Sequence, residues 1–111
     1  MPFTKVFPDK NQIHIKIDKL IPFDNRPLEW FSKGQRFQDM LDEVRGIGIQ
    51  QPINVRHIPN GKYEILNGHY RVAAAKELGF SAVPALVLEG LTDEIALSYV
   101  SDTNPIGLLL K

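Results

Sequence analysis

The sequence contains no cysteine. A chain without thiols forms no disulfide, builds no thiolate zinc site and uses no cysteine nucleophile, so three classes of site are excluded together. The sequence also has no uninterrupted apolar run of about eighteen residues, which a membrane-spanning helix needs, and its N-terminus lacks the apolar centre of a signal peptide. We therefore expect a cytoplasmic protein without membrane contacts.

An excess of either charge is absent as well, because thirteen basic and thirteen acidic residues give a formal net charge of zero. A neutral chain has no global field that draws it to DNA or to an anionic membrane. Its lysines are spread along the chain and form no basic stripe. Any contact with DNA is therefore expected to be local or to be made by another segment.

The length of 111 residues and the hydrophobic content of 43% fit one domain with one core. Residues 1–11 contain two prolines and two lysines in little recognisable pattern, which predicts a loose lead-in. Residues 12–111 show no internal repeat, low-complexity tract or linker. They form the predicted domain.

The predicted domain opens with an alternating segment and a turning one. Residues 12–18 place Ile13, Ile15 and Ile17 on one face, which predicts a half-buried strand. Residues 20–30 contain two prolines, and these favour an extended, turning connection over a helix.

A helix and a hairpin are predicted next. The helix has one apolar face, made by Phe37, Met40, Leu41 and Val44. Gly46 is predicted to end it. Residues 53–65 then alternate on both sides of Asn60-Gly61, a pair that supplies the positive torsions of a tight hairpin turn.

The rest of the chain predicts a helix, a strand and a third helix. The second helix is alanine-rich and runs from Gly68 to a cap at Gly79. The strand around Pro84 is expected at a sheet edge, because proline cannot donate to a ladder. The third helix has Thr92 as N-cap and an apolar face made by Ile95, Ala96, Tyr99 and Val100. These elements predict an α+β fold: a small mixed sheet with a β-hairpin and about three helices.

Residues 67–71, which we name the corner, join the end of the hairpin to the second helix. The first amides of a helix lack internal partners and carry partial positive charge, so an anion is stabilised there. Gly68 permits close approach to the backbone, Arg71 can grip a phosphate or carboxylate, and His69 is placed to add a third donor. The alternative is a plain turn in which His69 and Tyr70 cover the edge of the core.

Three segments resemble the N-terminal domain of ParB-type partition proteins, in the ParB/sulfiredoxin-like superfamily. They are MLDEVRGIGIQQPINVR, GKYEILNGHYRVAAAKELGFSAVPALV and DEIALSYVSDTN, and the resemblance covers about residues 12–104. It implies a nucleotide held by its phosphates, with Mg²⁺: CTP in partition proteins, ATP or ADP in sulfiredoxins and free-serine kinases. It further implies a possible homodimer, and contact with DNA through a C-terminal domain beyond this chain or through a partner protein.

The resemblance also assigns residues to the implied nucleotide site. The corner takes the position of the family's glycine-glutamate-arginine-arginine box, in which only the glycine and the last arginine match. The implied phosphate-binding residues are Asn25, Arg26, Gln51, Pro52, Asn67, Gly68, His69, Tyr70 and Arg71. Asp102 and Asn104 fall where the family places residues near the metal-bound phosphates. An ion pair with Asp24 is the alternative role for Arg26.

Departures from the family pattern leave the activity open. Sulfiredoxins need a cysteine where this chain has His69, so sulfiredoxin activity is excluded. The box glutamate and first arginine are missing, which leaves a weak CTPase-like hydrolysis undecided. The main interpretation is a nucleotide-binding switch domain of a partition or DNA-binding regulatory protein. The alternatives are a small serine-type kinase with Asp24 as its base and a ParB-like nuclease. Arg56 is interpreted as a solvated strand charge.

Overall fold

A computed structural model describes residues 12–103, and for Asn25 and residues 101–103 it describes the backbone alone. The predicted lead-in, residues 1–11, lies outside the described part, as do residues 104–111. The strands are β1 (Gln12–Lys16), β2 (Leu20–Pro22), β3 (Ile53–Ile58), β4 (Lys62–Asn67) and β5 (Ala82–Val87). The helices are α1 (Gly34–Ile47), α2 (His69–Glu77) and α3 (Asp93–Thr103), and short 3-10 turns occupy Ile17–Lys19, Phe23–Asn25 and Leu28–Phe31.

The strands form one mixed sheet in the order β1-β5-β3-β4-β2. β3 and β4 are the predicted antiparallel hairpin, and Asn60 and Gly61 in its turn have φ values of 72° and 71°. β1 pairs antiparallel with β5, whereas β3–β5 and β2–β4 are parallel. The predicted α+β architecture of a hairpin-containing mixed sheet with three helices is confirmed for the described residues.

α2 lies between two apolar clusters, which explains its alanine-rich sequence. On one side Val72 and Ala75 pack with buried residues of the sheet. On the other side Ala73 and Ala74 pack with Phe37, Leu41 and Val44 of α1 and with other buried side chains. Four consecutive buried residues leave little room for long side chains. The first turn of α2 is thereby fixed at the end of β4.

β5 is an interior strand, so the prediction that Pro84 marks a sheet edge is wrong. The N–H of Leu88 donates to the carbonyl of Val55 at 2.8 Å. Because alternate residues of a strand direct their N–H groups the same way, the nitrogen of Pro84 also points toward β3. Pairing with β3 begins one residue later, at Ala85 opposite Ile53. The proline therefore removes no ladder hydrogen bond.

Two boundaries also differ from prediction. α1 continues through Gly46 to Ile47. Its C-cap is Gly48, which has a φ of 77° and donates its N–H to the carbonyl of Val44 at 2.9 Å. Helical torsions are kept at Gly46, so a glycine alone does not stop a helix. The segment after β1, predicted as an extended turning connection, contains β2, a three-residue strand whose last residue is Pro22.

Two isoleucines predicted to face the core are exposed instead. Ile15 is buried as expected, but Ile13 lies on the edge strand β1 and is 41% exposed. In α3, Ala96 and Val100 are fully buried while Ile95 is 47% exposed. The apolar face of each element is therefore narrower than its sequence pattern indicates.

Candidate functional site

The backbone conformation and the packing around residue 68 both require a glycine at the corner. Gly68 has φ 96° and ψ 18°, a left-handed conformation that side chains resist. A Cβ at this position would lie 2.4 Å from Cγ2 of Ile53 and 3.3 Å from Nη1 of Arg71. The glycine lets β4 pass directly into α2. Because Gly68 is also the N-cap, it offers no side chain to satisfy the first amides of α2.

Arg71 lies in the first turn of α2, half-buried, with its guanidinium over the start of β3. Its Nη1 donates to the carbonyl of Pro52 at 3.4 Å and its Nη2 to Oε1 of Gln51 at 3.5 Å. Both distances are at the long limit for a hydrogen bond. Among the described residues, no carboxylate lies within ion-pair distance of this guanidinium. The sequence prediction that Gln51, Pro52, Gly68 and Arg71 meet is supported by these contacts.

Arg71 is a half-buried cation that has no ion-pair partner among the described residues. Burial lowers the pKa of Arg71, and the negative charge of Glu43 acts in the opposite direction. A guanidinium stays protonated at any physiological pH, so the cost of burial persists as a preference for an anionic partner. Arg71 and the amides of the α2 N-terminus therefore favour negative charge in the same place.

His69 has a different role from the one predicted. Its imidazole is fully buried and stacks on Phe31 with ring centroids 4.6 Å apart. Its Nε2 accepts a hydrogen bond from the backbone N–H of Phe23 at 3.0 Å. The expectation that His69 donates to a ligand is corrected, because this nitrogen is an acceptor and the ring is closed to solvent. Through this hydrogen bond His69, the first residue of α2, holds the turn Phe23–Asn25 against the start of the helix.

Asn67 and Tyr70 support the corner from two sides. Oδ1 of Asn67 accepts the backbone N–H of Asn54 at 3.1 Å, at the point where the β3–β4 register shifts. The ring of Tyr70 meets Phe31 edge-on, with centroids 5.4 Å apart, and the guanidinium of Arg36 lies 5.0 Å from the same ring. Arg36 was not identified from the sequence, where nothing distinguishes it from other charges on α1.

Asp24 lies beside the corner in a strained conformation. Its φ of 59° and ψ of 26° are unusual for a residue with a side chain. Its backbone N–H donates to Oε2 of Glu64 at 3.3 Å, and its side chain is exposed. Phe23, the preceding residue, is bound to His69. The structure thus brings Asp24 near the start of α2; the backbone of Asn25 follows, and its side chain is not described.

Arg26 does not reach the corner. Together with Glu29 and Lys76 it lines a cavity of about 560 Å³, and Lys76 belongs to the last turn of α2. Its guanidinium lies 5.4 Å from the ring of Trp30, and its buried Nε has no hydrogen-bond partner within the described residues. No ion pair joins Arg26 to Asp24 in that part of the chain. The alternative role of Arg26, an ion pair with Asp24, is therefore wrong, whereas its phosphate contact stays a prediction.

Arg56 is part of a charge network, so its interpretation as a solvated strand charge is wrong. Its Nε contacts Oε1 of Glu64 at 2.8 Å and its Nη2 contacts Oδ1 of Asp93 at 3.0 Å. The Arg56 and Glu64 side chains are only 17% and 13% exposed. Burial lowers the pKa of Arg56, but the two carboxylates outweigh it and raise the pKa overall. Since Glu64 also holds the N–H of Asp24, the network joins the turn beside the corner to the first residue of α3.

The residues implied for a metal ion lie beyond what the structure describes: Asn104 entirely and Asp102 in its side chain. Between residues 12 and 103, no group of three or more histidine or acidic side chains is arranged to hold a metal. Mg²⁺ commonly binds through substrate phosphates and one or two carboxylates, without a dedicated protein cage. None of the described helices is long and apolar enough to cross a membrane.

Comparison with curated proteins finds relatives of two kinds. The chain is 35% identical over 101 residues to the ATP-dependent L-serine kinase of Staphylothermus marinus, covering 87% of this chain and 38% of that protein. It is 42% identical over 73 residues to the probable chromosome-partitioning protein ParB of Vibrio cholerae, covering 66% of this chain and 25% of that protein. The chain therefore spans well under half the length of either relative.

Solved structures agree with the fold. The C-terminally truncated partition protein ParB of Caulobacter crescentus, complexed with CTP-gamma-S, matches with a TM-score of 0.66 and 26% identity, over 90% of this chain and 53% of that one. Sulfiredoxin from Arabidopsis thaliana shares the fold at a TM-score of 0.59 and 23% identity, over 80% of this chain and 96% of that one. Residues 4–103 match the ParB N-terminal domain. The resemblance predicted from the sequence is confirmed, and the chain belongs to the ParB N-terminal domain family.

Proposed function

We propose that this domain binds a nucleotide through its phosphates at the corner, as the switch domain of a ParB-like partition protein or a related DNA-binding regulator. The observation that carries the proposal is the state of Arg71. Its guanidinium is half-buried in the first turn of α2, makes only long contacts to Pro52 and Gln51, and meets no carboxylate at ion-pair distance among the described residues. A phosphate supplies the missing partner.

The physical basis is the addition of two positive fields. The N-terminus of a helix carries about half an elementary charge, and its free amides point outward. A guanidinium adds planar, charge-assisted hydrogen bonds to phosphate oxygens. In this proposal the amides of Tyr70 and Arg71 and the side chain of Arg71 hold the phosphates, while Gln51 and Pro52 line the same site. His69 and Asn67 act indirectly, by holding the corner in shape.

Two nucleotides are candidates, each with Mg²⁺. CTP is suggested by the Caulobacter partition protein, whose structure contains CTP-gamma-S. ATP is suggested by the serine kinase of Staphylothermus marinus, named as ATP-dependent. Asp102 and Asn104 stay predictions for residues near the metal-bound phosphates. Arg26 is left out of the proposed contacts because it lines the cavity that also contains Lys76, and its guanidinium lies near the ring of Trp30.

A chain of hydrogen bonds and ion pairs connects the turn beside the corner to α3. A phosphate seated beside Asp24 alters the turn whose N–H groups are held by His69 and Glu64. Glu64 is joined through Arg56 to Asp93, the first residue of α3. We propose that α3 responds to the nucleotide and changes the contacts of a homodimer. DNA contact is proposed to lie outside these residues, since the chain has no net charge and no basic stripe.

A thermal-shift screen with CTP, ATP, ADP and GTP, each with Mg²⁺, tests the proposed site. A ligand at a hundred times its Kd stabilises the folded state by about 2.7 kcal/mol, which raises the Tm of a domain of this size by roughly 10 °C. We expect at least one nucleotide to give such a shift and Arg71→Ala to abolish it. Arg45→Ala is the matched control, because Arg45 is an exposed arginine on α1 that is paired with Asp42. An Arg71→Ala protein that still responds like the parent refutes the site.

The serine-type kinase is a second candidate because Asp24 is exposed, lies beside the corner and has a strained backbone. Strained torsions are concentrated at functional positions. Incubation with L-serine and ATP or ADP, followed by mass detection of phosphoserine, tests this activity. Asp24→Asn is the informative variant, since asparagine tolerates left-handed torsions and removes only the base. Turnover lost in Asp24→Asn favours the kinase; nucleotide binding without turnover in the parent favours the switch.

A further inference from the structure

Arg36 is a second cation beside the corner. Its guanidinium lies 5.0 Å from the ring centroid of Tyr70, a cation–π contact. Among the described residues, no carboxylate lies within ion-pair distance of Arg36, in contrast to Arg45 on the same helix, which is paired with Asp42. The side chain of Arg36 is thus positioned by an uncharged ring and keeps its charge uncompensated.

The ring of Tyr70 places this charge at the open end of α2. Tyr70 is the second residue of α2, and side chains of a helix lean toward its N-terminus. The ring therefore lies over or beyond the first turn of α2. Its edge-on contact with Phe31 fixes its orientation. Since Arg36 lies within cation–π distance of that ring, its guanidinium is close to the same opening.

Arg36 also lies where a cation costs stability. It belongs to the first turn of α1, which contains no acidic residue. The positive end of a helix disfavours a cation by a few tenths of a kcal/mol or more. The Arg36–Tyr70 contact joins the first turn of α1 to the first turn of α2. Glu43 is the opposing charge near Arg71, and it is outside ion-pair distance.

We propose that Arg36, held by Tyr70, is a second phosphate-binding guanidinium that makes the site select a triphosphate over a monophosphate. This inference rests on the proposed function, because it extends the phosphate site at the corner. Arg71 and the α2 amides take one phosphate group in either ligand. In this proposal Arg36, held at the Tyr70 ring, meets the outer phosphates of a longer chain.

Titration calorimetry at low ionic strength, with CTP against CMP and ATP against AMP, tests the selectivity. Arg36→Ala is expected to weaken binding of the preferred triphosphate roughly tenfold, the loss of one charge-assisted hydrogen bond, while monophosphate binding changes less than about twofold. Arg36→Lys is expected to restore part of the loss. Arg45→Ala removes the same charge from the same helix, and both affinities should stay at the parent level.

The role of the ring is tested separately from that of the charge. Tyr70→Phe keeps the aromatic face and should keep the preference for triphosphate, whereas Tyr70→Leu should lose it while each protein unfolds cooperatively in urea. Equal losses for both ligand lengths in Arg36→Ala, or no loss at all, overturn the inference and leave the phosphate site intact. A parent protein that binds neither triphosphate overturns the proposed function itself.

Discussion

Replacing Gly68 by alanine tests the geometry of the corner quantitatively. The left-handed φ of 96° costs a residue with a side chain about 1–2 kcal/mol. The added Cβ would lie 2.4 Å from Cγ2 and 2.9 Å from Cβ of Ile53, which is fully buried and cannot move aside freely. Overpacking of this kind adds about 1–3 kcal/mol. The expected loss in the free energy of unfolding is therefore about 2–5 kcal/mol, a large part of a small domain's stability.

Urea unfolding of three variants isolates the steric part of that loss. Gly79→Ala is the matched control, because Gly79 has a similar φ of 85° but open space where its Cβ would lie. We expect Gly79→Ala to cost only the backbone component. Ile53→Ala removes Cγ2, the nearer of the two clashing atoms, so the double variant with Gly68→Ala should be more stable than the sum of the single losses predicts. A Gly68→Ala protein no less stable than Gly79→Ala contradicts the close approach of β3 to the corner.

Three further changes probe the surrounding charges and caps. Glu43→Gln removes the negative charge that faces Arg71 and should strengthen nucleotide binding severalfold in calorimetry, whereas Glu77→Gln at the far end of α2 should not. Arg56→Met leaves the carboxylate of Glu64 mostly buried without its arginine partner, so the free energy of unfolding in urea should fall by about 2 kcal/mol or more. Thr92→Ala removes the hydroxyl that caps α3, accepting the N–H of Ile95 at 3.2 Å, and should cost about 1 kcal/mol, while Thr92→Ser should not.

Features set by nearby residues were predictable from the sequence. The Asn60-Gly61 turn, the helix cap at Gly79 and the cap at Thr92 each follow from a few adjacent residues, and the structure has all of them. The proximity of Gln51 to Arg71 came from the family resemblance and is present as well. These features need no knowledge of distant parts of the chain.

Features set by distant partners were not predictable in the same way. The partner of His69 is the backbone of Phe23, 46 residues earlier, and nothing in the local sequence indicates whether an imidazole will donate or accept. Arg56 was misinterpreted because its second carboxylate comes from α3, on another element. β2 is not predictable from alternation, because it has only three residues and ends in a proline. The position of Arg36 depends on its contact with the ring of Tyr70, which lies on another helix.

The most direct test of the phosphate site is an NMR titration of the ¹⁵N-labelled domain with CTP and ATP in the presence of Mg²⁺. Amide nitrogens that bind phosphate report the contact themselves, independent of any mutation. We predict that the largest shifts fall on the backbone amides of Tyr70 and Arg71. Shifts concentrated instead around the cavity of Arg26 and Lys76, with the start of α2 unchanged at saturation, would contradict the proposed nucleotide site.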